Sequence, residues 1–226
     1  MKSTEALIVI HAETDSIGNL ADILPELGIT YKVVTVTDNL PEPDELQLLI
    51  LLGSPASAYD HRLAWIPKEL NWLKQVQQKN IPTLGICFGA QILTRALDGQ
   101  VFKNSQPELG WTDINSVNDS WQHTGPWFNF HYDAFTAPKS AILLAENDIA
   151  QQAYSYGKAL AVQFHPEMCT TMFDCWMKEW QSSEGGRKFL VKLADLPEQW
   201  RQETAAREIT NRQNFKQLLI TFLKNI

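Results

Sequence analysis

The sequence has few cysteines, and their spacing fits neither a disulfide framework nor a metal site. The chain of 226 residues contains only Cys87, Cys169 and Cys175. An odd count without regular spacing argues against a disulfide scaffold, so we expect a reducing, cytoplasmic compartment. Cys169 and Cys175 follow His165 closely, but at no known zinc spacing, and we predict that they are packing residues and that no metal is bound.

Long apolar runs and excess positive charge are also missing. The longest apolar run, at 46–52, is far shorter than the roughly 18 to 20 residues of a membrane span, and the first 15 residues do not resemble a secretory signal. The net charge of −7 disfavours binding to nucleic acid or to an anionic membrane surface, so we predict neither partner. The sequence has no phosphate loop and no G-x-G-x-x-G, so we predict neither a nucleotide cofactor nor an ATP-binding synthetase domain.

What is present in the first hundred residues is an alternation of strand and helix patterns. Short apolar runs predict strands at 6–12, 31–37, 45–53 and 81–86. Apolar residues at helical spacing predict helices at 16–27, 61–80 and 88–99. Such alternation is typical of βαβ units, so the predicted fold class is α/β, with a mostly parallel central sheet flanked by helices.

After Gly99 the pattern changes to shorter β-like runs and then to helices. The runs predict antiparallel or mixed additions to the sheet, the last of which ends at His165. From about Thr170 onward the chain is predicted to be helical, closing with an amphipathic stripe that runs from Phe215 to Leu223. We therefore predict a domain at 1–170 and a C-terminal helical extension at 171–226, packed on the same domain.

A thiol stands at a predicted strand-to-helix turn. Gly85-Ile86-Cys87-Phe88-Gly89 has the G-x-nucleophile-x-G form of a nucleophile elbow. Side chains at the two glycine positions would collide with so sharp a turn, and the helix N-terminus that follows favours thiolate over thiol. The alternative is that Cys87 is a buried structural cysteine. The five residues alone are only moderately specific for a nucleophile elbow.

A histidine and a carboxylate stand at the end of a later strand. His165-Pro166-Glu167 follows an apolar run, and alternation along an extended backbone directs residues 165 and 167 to the same side. Glu167 could then orient the imidazole towards Cys87, which is the nucleophile–base–orienter arrangement of a catalytic triad. Taken alone, a histidine near a carboxylate is more often an exposed surface pair with no catalytic role.

Together, "LGICFGAQIL" and "AVQFHPE" resemble the class I (triad-type) glutamine amidotransferase family. The motifs occur in the family's order and separation over roughly residues 5–170, and "PELGW" at 107–111 resembles stand-alone members with a GMP-synthase-like glutaminase domain. The resemblance implies a flavodoxin-like fold and a Cys87, His165 and Glu167 triad. It also implies a reaction that needs no cofactor.

The resemblance extends to an oxyanion loop and a substrate pocket. Gly53-Ser54-Pro55 stands where the family usually has Gly-Gly-Pro, which implies that the backbone N–H groups of Ser54 and Phe88 bind the oxyanion. "FHYD" at 130–133 resembles the family's Ser-His-x-Asp segment, with Phe130 in place of serine. The substrate-binding residues implied in this way are Gly53, Gln91, His131, Tyr132 and Asp133.

These residues predict an enzyme that hydrolyses the side-chain amide of L-glutamine through a cysteinyl thioester. Ammonia would pass to an unidentified acceptor, for example on a partner synthetase subunit. One alternative is a γ-glutamyl peptidase acting on glutathione-like peptides, since "GSP" and "LGICFG" resemble those enzymes too. A second alternative is a non-catalytic regulatory subunit.

Three further residues are predicted to have structural roles. His11 follows the first predicted strand, near the edge of the sheet where a site would form. We predict a structural or surface role for it rather than a role in the site. Trp176 and Trp180, four residues apart, could pack the extension or meet a partner, and we expect packing.

Overall fold

The structure, a computed structural model, describes residues 4–12 and 15–226. The strands are β1 (Glu5–Ile10), β2 (Thr30–Thr35), β3 (Leu48–Leu51), β4 (Thr83–Ile86), β5 (Gln100–Thr112), β6 (Asn115–Ser116), β7 (Trp127–Thr136), β8 (Ile142–Glu146), β9 (Gln151–Tyr156) and β10 (Ala159–Val162). The α-helices are α1 (Leu20–Glu26), α2 (Trp65–Gln78), α3 (Phe88–Ala96), α4 (Thr170–Ser182), α5 (Glu184–Leu193) and α6 (Leu196–Lys224), and a short 3₁₀ turn spans Pro43–Glu45.

Eight strands form one sheet in the order β2-β1-β3-β4-β10-β9-β8-β6. The strands from β2 to β10 in this order are parallel, and β9, β8 and β6 extend the sheet in antiparallel fashion. This confirms the predicted α/β class with a mostly parallel central sheet. Because β3, β4 and β10 all end at the same edge, the loops that follow them meet there.

The central strands are apolar throughout because helices cover both faces of the sheet. Every residue of β3, β4 and β10 is buried. On one face, α1 and the last turns of α6 pack against residues such as Ile8 and Ile50. On the other face, α2 and α3 pack against residues such as Val9 and Leu51.

The remaining two strands, β5 and β7, form a separate antiparallel hairpin that carries the C-terminal helices. Phe128 of this hairpin lies in a third core cluster with Phe173 of α4 and Trp200 of α6. The predicted C-terminal helices are confirmed. The boundary at residue 170 stays a prediction.

The largest difference from the predicted elements is β5, which was expected only from 111 onward. The strand begins at Gln100, and its register shifts between Lys103 and Glu108. Residues 100–107 are mostly polar, include Pro107 and are half-buried or exposed. Residues 100–103 pair with β7, and the pairing resumes only at Glu108. A strand of this kind lacks the apolar alternation by which strands are recognised in a sequence.

Candidate active site

Cys87 occupies a sharp turn between β4 and α3. Its backbone has φ 51° and ψ −110°, a strained conformation for a residue other than glycine. A Cβ added at Gly85 would lie 2.7 Å from the Gly89 carbonyl oxygen, and one at Gly89 would lie 2.2 Å from that of Leu51. Both glycines are therefore required by close backbone approach, as the elbow motif predicts.

His165 and Glu167 lie just beyond β10, where a short loop turns towards α4. The Nδ1 atom of His165 is 2.8 Å from Glu167 Oε1, and both side chains are buried. The main-chain N–H of His165 donates to the Phe128 carbonyl at 2.7 Å, which ties the turn to β7. The spacing of residues 165 and 167 thus produces the predicted hydrogen bond between imidazole and carboxylate.

Two distant asparagines hold the turn that follows His165. Asn211 of α6 donates to the carbonyls of Pro166 at 3.0 Å and Met168 at 2.8 Å. Asn19, just before α1, donates to the Met168 carbonyl at 3.0 Å. Both asparagines are buried. Neither asparagine was predicted to belong to the site, because a polar residue in a predicted helix or loop carries no sign of a partner far along the chain.

The electrostatic surroundings of His165 favour its protonated form. Burial by itself lowers the pKa of His165, but the negative charges of Cys87 and Glu167 outweigh it and raise the pKa to about 10. A Gln163 amide nitrogen lies 3.7 Å from Cys87 Sγ and adds a donor on the sulfur. The imidazole is therefore charged at neutral pH and can supply a proton to a leaving group.

The loop after β3 comes close to both side chains. A Cβ added at Gly53 would lie 2.9 Å from His165 Cε1 and 3.9 Å from Cys87 Cβ. The Ser54 side chain accepts from the Ala56 N–H at 3.2 Å, which fixes the turn. Within residues 4–12 and 15–226, the main-chain N–H groups of Ser54 and Phe88 have no hydrogen-bond acceptor. Both donors remain available to an oxygen in the site.

His11 lies behind this loop rather than on the surface. Its Nδ1 is 3.1 Å from the Gly53 carbonyl oxygen, and its Nε2 is 3.1 Å from Glu69 Oε1. The position of His11 at the carboxyl edge of the sheet was the one available signal. The partner Glu69 lies on α2 and carried no signal in the sequence.

His131, implied as a substrate contact, uses both ring nitrogens within the protein. Nδ1 is 2.9 Å from the Asp133 carbonyl oxygen, and Nε2 is 3.0 Å from Glu108 Oε2. Burial tends to raise the pKa of Glu108, but hydrogen bonds from His131, Thr112 and Asn147 more than offset it and leave the pKa below its usual value. His131 therefore borders the cavity and anchors β7 to a buried carboxylate.

The other implied substrate contacts surround the same cavity. Gln91 is buried, and its amide nitrogen donates to the Asp133 carbonyl at 3.1 Å and to Gln163 Oε1 at 3.3 Å. The Asp133 carboxylate accepts from the Tyr59 hydroxyl at 2.9 Å. Tyr132 is 43% exposed and stands at the rim.

Most of the predicted site residues line one cavity of about 310 Å³. Its walls include Gly53, Ser54, Cys87, Gln91, His165 and residues 130–133. The structure therefore brings the predicted site residues together, with two qualifications. Glu167 reaches the cavity only through His165, and Phe88 follows Cys87 in the chain but does not itself line the cavity.

One wall of the cavity is aromatic and comes largely from the C-terminal helices. Phe130 stacks on Trp180 at a centroid distance of 5.3 Å, and Trp180 contacts Phe189 of α5 at 5.5 Å. Trp176 meets the His165 ring edge-on at 5.2 Å. The two tryptophans pack as expected, but they also line the cavity, which their helical spacing did not reveal.

Two negative findings apply to the part of the chain that the structure describes. No group of three or more histidine, cysteine, aspartate or glutamate side chains there is arranged to hold a metal ion. No helix there is long and apolar enough to cross a membrane.

Comparison with known proteins identifies the family of this chain. Residues 8–179 match the family model of the class I glutamine amidotransferases. The chain is 31% identical over 203 residues to a glutamine-hydrolysing GMP synthase from Helicobacter pylori, covering 84% of this chain and 37% of that protein. It is 26% identical over 156 residues to one subunit of the glutamine-hydrolysing GMP synthase from Sulfolobus acidocaldarius, covering 64% of this chain and 80% of that one.

Structural comparison gives the same fold over nearly the whole chain. A glutamine amidotransferase from Thermotoga maritima superposes with a TM-score of 0.86 at 24% identity, covering 98% of this chain and 99% of that one. The chain belongs to the class I glutamine amidotransferase family. It spans about a third of the length of the first curated relatives that it matches.

Proposed function

We propose that this protein hydrolyses the side-chain amide of L-glutamine through a thioester on Cys87 and delivers the ammonia to an acceptor. Cys87 is the nucleophile, His165 the general acid and base, and Glu167 the group that orients His165. The N–H groups of Ser54 and Phe88 bind the oxyanion. Gly53, Gln91, His131, Tyr132 and Asp133 shape the glutamine pocket.

In the first half-reaction, Cys87 Sγ attacks the side-chain carbonyl carbon, and the carbonyl oxygen takes up negative charge beside the two N–H donors. His165 protonates the departing nitrogen as the carbon–nitrogen bond breaks, and ammonia leaves. In the second half-reaction, His165 removes a proton from water, which attacks the γ-glutamyl thioester. Glutamate is released, and the proton returns to the Cys87–His165 pair.

The observation that carries this proposal is the convergence of three separate segments on one cavity. The strained elbow presents Cys87, the loop after β10 presents the hydrogen-bonded His165 and Glu167, and the loop after β3 presents the free Ser54 amide. Each alone has a structural explanation. A nucleophilic sulfur, a protonated imidazole that can give its proton to the leaving nitrogen, and two unused N–H donors close together are what acyl transfer requires.

The test is a glutaminase assay on the purified chain, with glutamate release followed by a coupled dehydrogenase. Wild type is expected to turn over glutamine, and Cys87→Ser to lose nearly all activity. Cys175→Ser is the matched control, because Cys175 is half-buried in α4 and does not line the cavity. Equal activity in Cys87→Ser and wild type would rule out the assigned nucleophile.

Covalent labelling of Cys87 separates an enzyme from a regulatory subunit that has kept the fold. A glutamine-mimicking chloroketone is expected to label Cys87 of the folded protein once, which mass spectrometry would show as the mass of one adduct per chain. If Cys87 stays unmodified and glutamine is not turned over, the result supports the regulatory alternative. Adding the glutaminase-free part of a GMP synthase would then show whether a partner is needed for activity.

The aromatic wall favours a second candidate, a γ-glutamyl peptidase. Trp176 contacts His165, the group that protonates the leaving nitrogen, so a substituent on that nitrogen would meet an aromatic surface. Comparing kcat/KM for glutamine, glutathione and γ-glutamylphenylalanine distinguishes the two. Turnover of the peptides without turnover of glutamine would replace the first candidate by the second.

Ammonia transfer to a synthetase subunit is the partner proposal. Two curated relatives carry the name of glutamine-hydrolysing GMP synthase, and one of them is named as a subunit of that enzyme. This chain covers 37% of the longer relative and 80% of the relative that is named as a subunit. Higher glutaminase turnover in the presence of a synthetase subunit would support such coupling.

A further inference from the structure

His11 and Glu69 form a buried pair that the mechanism above leaves unused. Neither side chain has any exposed surface. His11 follows β1, and its own main-chain N–H donates to the Asp15 carboxylate at 3.0 Å, as the Ala12 N–H does at 2.8 Å. The ring is thus fixed at its backbone and at both nitrogens, which is more restraint than simple packing requires.

The acceptor of His11 belongs to the same peptide unit as a proposed oxyanion donor. The Gly53 carbonyl and the Ser54 N–H are the two ends of one planar trans peptide and point in opposite directions. His11 Nδ1, 3.1 Å from the carbonyl oxygen, holds one end. The orientation of the Ser54 N–H is therefore set by the hydrogen bond that His11 makes.

The direction of this hydrogen bond does not depend on which partner of the pair carries the charge. A carbonyl oxygen can only accept, so Nδ1 must bear the hydrogen. At Nε2, either an imidazolium donates to the Glu69 carboxylate or a neutral ring accepts from a carboxylic acid. Both arrangements leave Nδ1–H directed at Gly53.

The same ring also contacts the residue that carries the second donor. The His11 ring lies edge-on to Phe88 at a centroid distance of 4.6 Å, and both rings contact Trp65, at 5.5 and 5.7 Å. Phe88 follows the nucleophile, and its N–H is the other oxyanion donor. One buried ring thus touches both elements that would bind the oxyanion.

We propose that His11, anchored by Glu69, is a positioning residue that holds the Gly53–Ser54 peptide with its N–H towards the oxyanion. This inference rests on the proposed glutaminase chemistry. Without His11, the peptide between a glycine and a serine could rotate and turn a carbonyl oxygen towards the developing negative charge.

Two amide variants, each of which reproduces the position of one ring nitrogen, separate the two hydrogen bonds of His11. The Asn side chain places its amide nitrogen near the position of Nδ1, whereas the longer Gln side chain reaches the position of Nε2. His11→Gln should lower kcat by about 10- to 100-fold, somewhat below the roughly 10²- to 10³-fold loss of a whole oxyanion donor, with KM little changed. His11→Asn should retain most of kcat, because it keeps a donor to Gly53.

Alkylation of Cys87 by iodoacetamide provides the readout that a merely structural role would not produce. This reaction displaces iodide at a saturated carbon and forms no oxyanion, so it reports the thiolate alone. We expect His11→Gln to be alkylated at Cys87 at the wild-type rate, as measured by mass spectrometry. Glu69→Leu removes the anchor but leaves the ring and its donor to Gly53, so it should lower kcat by a smaller factor than His11→Gln, again with alkylation unchanged. This variant keeps the test decisive if His11→Gln does not fold.

The outcomes that would overturn the proposal are distinct. Unchanged kcat in His11→Gln refutes the positioning role, and a parallel loss of alkylation shows that His11 acts on the thiolate or on the fold instead. His123→Gln is the control for a histidine substitution outside the site, and it should leave both rates unchanged. If wild type does not hydrolyse glutamine at all, the proposed function fails first, and this inference falls with it.

Discussion

Substituting Gly53 by alanine tests the geometry of the site with a single methyl group. The new Cβ would lie 2.9 Å from His165 Cε1, which is about 0.5 Å closer than ordinary van der Waals contact begins. It would remain at an ordinary 3.9 Å from Cys87 Cβ. The methyl group must therefore displace either the imidazole or the loop that carries the Ser54 amide.

The size of the effect follows from how little room the neighbours have. Glu167 and Trp176 both contact the His165 ring, and His11 holds the Gly53 carbonyl. A displacement of about 1 Å at a catalytic group can cost about 10²-fold in rate, so half that distance predicts a fall in kcat of about 10-fold or more. The fold should be little affected, because alanine also reduces the entropy of the unfolded chain, worth about 0.4 to 1 kcal/mol.

The assay is glutamate release under saturating glutamine, together with urea unfolding of the same samples. Gly185→Ala is the matched control: a Cβ at Gly185 in α5 meets nothing within 4 Å, and the change should leave kcat unaltered. Wild-type kcat in a folded Gly53→Ala protein would refute the proposed closeness of this loop to the reacting groups. Loss of folding would instead show that the loop is strained as a whole.

Three further predictions concern the charge and the packing around the site. Glu167→Gln keeps a hydrogen-bonding oxygen but removes the charge that stabilises protonated His165, so kcat should fall by about 10²-fold or more at neutral pH, and an unchanged kcat would contradict the role of Glu167. Because the pKa of His165 is raised from 6.5 to about 10, its contribution to stability is complete below pH 6.5 and disappears as pH rises to about 10. The urea midpoint of wild type should therefore decline more steeply over that window than that of His165→Gln, and parallel curves would refute the shift. Phe215→Ala should cost about 3 to 5 kcal/mol of unfolding free energy, since Phe215 is fully buried, whereas Ile209→Ala on the same helix, at a position 74% exposed, should cost less than about 0.5 kcal/mol.

The parts of the fold and site that could be predicted are those encoded locally. The elbow needs Gly85 and Gly89 because of contacts within a few residues of Cys87 or with the adjacent strand. The motif alone is therefore enough to predict the turn. His165 and Glu167 are two residues apart, and their hydrogen bond follows from local spacing. The central strands were recognisable because burial on both faces makes them apolar throughout.

The parts that could not be predicted depend on partners distant along the chain. His11 and Glu69 are 58 residues apart, and Gln91 reaches Gln163 over 72. Nothing in a glutamate on a helix distinguishes a solvated side chain from one that anchors a buried imidazole. Such pairs appear only when the sheet order brings the loop after β1 next to α2 and the start of α3.

The C-terminal helices contribute contacts to the site. Asn211 of α6 donates two hydrogen bonds to the turn that presents His165, and Trp176 of α4 packs against the imidazole. The same α6 buries Phe215 in the core beneath the sheet, so the helix that orients the turn is itself anchored by the fold. A buried asparagine bonded to two carbonyls is costly to displace, because the buried Pro166 carbonyl would lose its donor and the Met168 carbonyl would keep only Asn19. The position of the imidazole therefore depends on residues more than 40 positions further along the chain, and the catalytic geometry and the packing of the last helix should be lost together.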